Sequence, residues 1–173
     1  MFRFIAAFSF AILMLGCAPI RHAPDAEPDE LADAEPLLSR QTLPFQTVPE
    51  AYLTDFTPAD NIDSPASWRA ADGSTWLLAT AKATDVLVVY DGDSGKSVKS
   101  VGSSGTGSGQ FKRPNGISVI DNLVFVVERD NQRVQVLSLP AFKPLGSFGA
   151  DLLVAPYGLW VTRSSGGYEV IVS

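Results

Sequence analysis

Three features of the sequence predict an all-β fold of the propeller class. Short apolar runs are broken at close intervals by Gly, Pro, Asn and Asp. The central runs show no helical period. A unit of similar design recurs at a spacing of about 40–50 residues, the range of propeller blades. Short Val-, Ile-, Leu- and Phe-rich runs suit a pleated surface better than a helix, because branched and aromatic side chains pack well against strand neighbours.

The central unit, residues 102–149, reads as one four-stranded module. A Gly/Ser loop over 102–109 leads to a Pro114-Asn115-Gly116 corner and a strand over 117–120. An Asp121-Asn122 turn and a strand over 123–128 follow, then a turn at Asp130-Asn131, a strand over 133–139 and a last strand over 144–148. Imperfect copies flank it. Upstream, Pro65 and Trp68 precede runs at 75–80, 85–90 and 97–101; downstream, Pro156 and Tyr157 precede a run at 168–172. The three corners are placed at Pro65, Pro114 and Pro156. One such sheet cannot bury both its faces alone, so neighbours must stack about an axis. A propeller needs ~4–8 blades, and the residues after the first corner suffice for roughly two and a half at the blade lengths of such repeats. The sequence is therefore expected to be the N-terminal part of a longer protein; the alternative is a complete small β domain.

Composition narrows the function classes. Hydrophobic residues make up 46% and charged residues 18%, which suits a packed domain, and the net charge of −6 argues against a nucleic-acid partner. Residues 1–16 read as a targeting segment: Arg3 supplies a short positive region, and the following apolar run is too short for a membrane-spanning helix. Met14-Leu15-Gly16-Cys17 resembles the bacterial lipoprotein box, with Met in place of the more usual Leu. The resemblance implies acylation of Cys17, and Ala18 beside it implies an outer-membrane lipoprotein of the cell envelope. A multi-chain lipid anchor meets the requirement for stable membrane attachment. The alternative is an ordinary signal peptide with an incidental Cys. Residues 17–58 are acidic and rich in Pro and read as a tether. The folded domain is expected over 59–173. His22, in the tether, is the sole histidine, so no His-based triad or metal site is expected.

Two glycine-rich stretches are not phosphate loops. Gly95-Lys96-Ser97 lacks the required Gly five residues earlier, where Tyr90 stands, and 102–109 opens no helix. Both read as hairpin loops.

Several segments, in order, resemble the β-propeller phytases: Asp63-Ser64-Pro65-Ala66-Ser67-Trp68, Thr80-Ala81-Lys82, Val88-Val89-Tyr90, Arg113-Pro114-Asn115-Gly116, Glu128-Arg129, and Tyr157-Gly158-Leu159 with Tyr168. The resemblance implies a six-bladed propeller that binds several Ca²⁺ ions and hydrolyses phytate or related phosphate monoesters, a 3-phytase-type activity. It further implies that Tyr157 is a Ca²⁺ ligand, that Asp63, Pro65 and the Ile117 carbonyl lie at or beside structural Ca²⁺ positions, and that Lys82 and Arg129 contact phosphate. Ca²⁺ takes oxygen ligands, so such chemistry does not require histidine. The sequence departs from the family at Ser64, where a second Asp is usual, at Ala83, where a second Lys is usual, and at Glu128 in place of Asn. Most catalytic carboxylates of the family would lie beyond Ser173. Bland readings stand beside these: Tyr157 as a corner aromatic, Lys82 as a solvated charge, Arg129 as a partner of Glu128 or Asp130, and Trp68, Trp76 and Trp160 as blade core.

Within the central unit a second likeness is closer. Gly109-Gln110-Phe111, Pro114-Asn115-Gly116-Ile117, Asp130-Asn131-Gln132-Arg133-Val134-Gln135-Val136 and Ser147-Phe148-Gly149 resemble an NHL repeat. That implies a binding propeller engaging protein or glycan without chemistry. Both likenesses give the same fold and differ on activity.

Overall fold

A computed structural model of the chain describes residues 46–55 and 57–173; the targeting segment, Cys17 and most of the tether lie outside them. The compact unit built from these residues runs from Val48 to Ser173. It contains ten strands: β1 Ile62–Arg69, β2 Thr75–Ala81, β3 Val86–Asp91, β4 Ser97–Val101, β5 Pro114–Ile120, β6 Leu123–Glu128, β7 Arg133–Ser138, β8 Lys143–Phe148, β9 Leu159–Ser164 and β10 Gly167–Val172. No helix occurs among the described residues. The strands form two four-stranded antiparallel meanders, β1 to β4 and β5 to β8, and a two-stranded sheet of β9 and β10. We call these sheets 1, 2 and 3.

The all-β expectation is met, and the pattern of burial explains it. Along β6, Val124 and Val126 face sheet 1, where they pack with Leu78, Leu87, Val89 and Trp68. Phe125 and Val127, one residue out of phase, face sheet 3 and pack with Val161, Leu159 and Val170. A strand buried on both faces reads as a continuous apolar run, since successive side chains point in opposite directions. Each buried Val or Leu is worth roughly 1.5–3 kcal/mol, so these two apolar layers dominate the attachment of one sheet to the next. The first strand of each sheet lies against the first strand of the neighbour, β1 on β5 and β5 on β9.

The repeat is registered differently from the sequence reading. In sheet 1, Ile62 pairs with Ala81 and Pro65 with Ala79, so β1 carries one extra residue. Sheet 2 repeats the irregularity: Pro114 pairs with Glu128 and Ile117 with Val126. Each bulge follows a residue in the left-handed region, Asn61 and Arg113, both with φ of 47°; Ala155 has the same φ ahead of sheet 3. The amide of Lys82 donates to the Asn61 carbonyl at 3.1 Å, and that of Arg129 to the Arg113 carbonyl at 3.0 Å. Ile62, Pro114 and Pro156 are therefore equivalent, and Pro65 is the counterpart of Ile117. The proline at 65 sits three residues inside its strand, which lies at the edge of sheet 1, where a residue without an N–H is tolerated.

The glycine-rich segments also divide. Gly95 lies in the β3–β4 hairpin turn, as expected, but residues 102–109 cross from β4 of sheet 1 to β5 of sheet 2 and form no hairpin. The β5–β6 turn is the tie among all three sheets. Asn122 accepts from the Trp68 indole of sheet 1 at 3.1 Å, while Asp121 accepts from Arg163 and, at 2.8 Å, from the Tyr168 hydroxyl of sheet 3. That bond is the main reason the Tyr168 phenol lies above its ordinary pKa. Trp68 is buried as expected of blade core, with Trp76 half-buried against it. Trp160 departs from that expectation: it is 58% exposed, because Val161 takes the face toward sheet 2 and nothing among the described residues packs against the other face.

Candidate functional site

The bulges bring polar side chains to one rim. A bulge leaves its extra residue out of the ladder and re-aims it. The bulged positions are Asp63-Ser64 in β1 and Asn115-Gly116 in β5, and Tyr157-Gly158 occupies the same place ahead of β9. Lys82 and Arg129, one residue past β2 and β6, emerge at this same end because the strands are antiparallel.

Three of the residues singled out in the sequence meet here. The Lys82 ammonium lies 3.5 Å from Asp63 Oδ1, with the two side chains only 7% and 19% exposed. The same ammonium is 6.0 Å from the centre of the Tyr157 ring, within reach of a cation–π attraction. Lys82 thus spans from sheet 1 to the segment that leads into sheet 3. Asn115 joins them on the intervening sheet. Its carbonyl accepts from the Thr80 hydroxyl at 2.6 Å, and Thr80 in turn accepts from the Ser64 amide at 3.0 Å. Gly116 is required at its position: a Cβ there would stand 2.8 Å from the Tyr157 carbonyl oxygen. The device at sheet 3 echoes sheet 1, with the Gly158 amide donating to Ser173 Oγ at 3.1 Å.

Asp63 and Asn115 at this rim have unmet hydrogen-bonding capacity among the described residues. Asp63 Oδ2 accepts no hydrogen bond, and neither atom of the Asn115 side-chain amide has a partner. Leaving such atoms unpaired costs about 1–3 kcal/mol each. A cleft of about 570 Å³ opens beside the start of β1, between Leu53, Thr54, Asp55, Thr57 and Pro58 on one side and Asn61 and Ile62 on the other. Its size is that of a small-molecule site. Burial raises the Tyr90 phenol above its usual pKa, with the carboxylates of Asp60 and Asp55 adding to the shift.

The other nominated residues are placed as follows. Arg129 holds the position on sheet 2 that Lys82 holds on sheet 1, and it pairs with Asp130 at 3.7 Å. Pro65 is exposed, while the Ile117 side chain is in the core between sheets 1 and 2. Cys17 lies outside the described residues. Of the oxygens that the resemblance assigns to calcium, the Asp63 carboxylate faces the Lys82 ammonium, and among the described residues no group of three His, Cys, Asp or Glu gathers.

Sequence reasoning missed what Glu128 does. It is fully buried, and Oε1 accepts from Arg133 Nε at 2.7 Å and Gln135 Nε2 at 3.0 Å. Oε2 accepts from the Lys112 amide at 3.2 Å and from Asn131. Arg133 also donates to the carbonyls of Thr106, Gly107 and Gln110, so it fastens the crossing loop to sheet 2. The signal was present in the spacing: Glu128 and Arg133 flank a four-residue turn and pair directly across it.

No family model and no curated protein matches the chain. Among solved structures it is similar to Kuenenia stuttgartiensis hydrazine synthase, at 14% identity and a TM-score of 0.50, over 74% of this chain and 32% of that one. The chain thus spans about a third of that protein's length, and the likeness is one of fold. It is also similar to the computationally designed Ika4 protein at 10% identity, over 73% of this chain and 98% of that one, with a TM-score of 0.34 that carries no argument.

Proposed function

We propose that this chain is part of a β-propeller lipoprotein whose axial rim binds a phosphate monoester, and that the closed disc is a Ca²⁺-dependent phosphomonoesterase of the 3-phytase type. One observation carries the reading. Asp63, Lys82 and Tyr157, drawn from three separate stretches of sequence by one family pattern, converge at a single place. The propeller itself is supported by the inward stacking of β1, β5 and β9, the relation that first strands hold around a central axis.

The residues of this segment bind and orient. Lys82 offers a charged donor to a phosphoryl oxygen, Asp63 holds the ammonium in place, and the Tyr157 ring closes one side. Calcium, and the carboxylates to hold it, belong in this proposal to later blades, and no step is assigned to it here. Anchoring through Cys17 at the outer membrane is part of the same proposal.

The test is phosphate release from myo-inositol hexakisphosphate and from simple monoesters by the full-length protein, with and without Ca²⁺. Release that stops on chelation is expected. A Lys82→Met variant should raise KM about 10- to 100-fold, the worth of one charge-assisted hydrogen bond. No release, with saturable binding to a protein or glycan, would instead establish the NHL-like binder. That second reading draws on the central sheet, where Arg133 and Gln135 of the repeat pattern hold the loop internally.

A further inference from the structure

We propose that the groove between sheets 2 and 3 receives an aromatic side chain, carried by a hairpin of the same protein that adds to the free edge of β10. The turn before β8 seats Phe142 between sheets 1 and 2 in this way. The inference rests on the propeller part of the reading above and on none of its phosphate chemistry. The groove, of about 370 Å³, is lined by Leu123, Val136, Gly146 and Phe148 and is continuous with the packed contact of sheets 2 and 3 through the rings of Phe125 and Tyr168, whose centres are 6.0 Å apart. Leu145 and Phe148 lie exposed along it.

The internal repeat says what belongs there. With Ala81 matched to Glu128, the ladders put Leu123 where sheet 1 has Trp76, Val136 where it has Val89, Gly146 where it has Lys99 and Phe148 where it has Val101. On sheet 1 this ground is covered. The ring of buried Phe142, from the β7–β8 turn of sheet 2, stacks on Trp76 with 6.1 Å between centres and 5° between planes, and the Lys99 ammonium lies 4.7 Å from both. On sheet 2 the lysine is gone as well, and a Cβ on Gly146 would meet nothing within 4 Å. The hairpin that would carry the ring is the part in which sheet 3 differs: β10 pairs with β9 alone among the described residues, while β2 and β6 are flanked on both sides. An open strand edge beside an apolar groove is what an added strand requires, backbone bonds on the edge and alternate side chains in the groove. Sheet 1 shows the same need for a ring. Gly95 holds the turn position of Phe142 there, with φ of 71° against 54°. A Cβ on Gly95 would run into the ring of Tyr52, whose hydroxyl donates to the Gly92 carbonyl at 2.7 Å. Where the turn has no side chain, the preceding segment supplies the aromatic.

Hydroxyl-radical footprinting and amide exchange test this on the full-length protein without altering it. Leu145 and Phe148 are expected to be oxidised as slowly as the buried Leu139 and Phe142, and the β10 amides that do not bond β9 to exchange as slowly as those of β2 and β6. Oxidation of Leu145 and Phe148 at the rate of open side chains overturns the inference, and so does protection that disappears on dilution, the mark of a second copy. Trp160, on the other face of sheet 3, reads the disc separately. Protected Trp160 beside reactive Leu145 and Phe148 leaves the propeller standing and removes this inference; the reverse pattern supports the added hairpin and removes the disc. A photo-cross-linker at the exposed position 145, Leu145→p-benzoylphenylalanine, then identifies the occupant. Cross-linking within one chain to a turn that bears an aromatic is expected; cross-linking between chains, or to a segment without one, overturns the assignment.

Discussion

Sheets 1 and 2 share one backbone plan and use its polar positions in opposite ways. On sheet 2 the last residue of the second strand is Glu128, which is saturated by Arg133, Gln135, Asn131 and the Lys112 amide. On sheet 1 the same position is Ala81, a buried methyl, and the charged pair has moved to the rim as Asp63 and Lys82. Sheet 2 carries a closed network that anchors a loop; sheet 1 carries a pair with an acceptor left over. The contrast teaches that identical bulges do not make identical sites. A buried carboxylate whose lone pairs are all occupied is structural, whereas at Asp63 one buried oxygen is left without a donor among the described residues.

The largest test of this contrast is Glu128→Ala. It removes the carboxylate partner of the Arg133 guanidinium and of the buried Gln135 amide, and should cost about 3–5 kcal/mol in chemical denaturation, as breaking a buried pair does. Glu128→Gln keeps the shape and should cost less. A loss near zero for Glu128→Ala would show that the network holds nothing. Asp63→Ala likewise removes the carboxylate that faces a nearly buried ammonium and should also lower stability.

Next comes the close approach at the second bulge. Gly116→Ala places a methyl against the Tyr157 backbone and should destabilise by about 1–3 kcal/mol, as overpacking does. Sheet 1 has Ser64 at the equivalent position, so Ser64→Ala should have little effect there. Similar losses at both positions in thermal melts would remove the asymmetry.

A smaller effect is expected between the sheets. The Lys99 ammonium of β4 sits 4.7 Å from the ring centres of both Trp76 and Phe142, a ring pair that bridges sheets 1 and 2. Lys99→Met should cost about 0.5–1 kcal/mol, the worth of an exposed cation–π contact, and should shift tryptophan fluorescence.

The smallest effect separates the outer turns of sheet 1. Asp91 and Asp72 each accept hydrogen bonds from a serine hydroxyl and amide, Ser94 and Ser74, which lower their pKa values below the usual carboxylate range. A depressed folded-state pKa means that the stabilisation is present above the unfolded value and fades as pH falls through the folded one. Amide exchange at Ser94 and Ser74 should therefore accelerate only at acid pH below the ordinary carboxylate range. Acceleration beginning nearer neutrality would contradict the bonding at these turns.

Much of this architecture was readable in one dimension. The Val-rich runs of β3 and β6 are buried on both faces and could not be helix surface, and the Asp/Asn/Gly breaks mark the turns between strands. The bulge was not readable. One added residue shifts the pairing without altering composition, so Pro65 passed for a corner when its true counterpart is Ile117. Lys82 and Tyr157 were picked out one at a time by resemblance, and nothing in their spacing says that they touch.

By itself the sequence determined that the chain folds into short antiparallel strands and that these recur as units, because alternation and turn chemistry act between residues close in the chain. Only the tertiary structure decided which polar residues are consumed and which are offered. That choice turns on whether an oxygen buried by sheet stacking finds a donor on a neighbouring sheet, and Glu128 does where Asp63 Oδ2 does not.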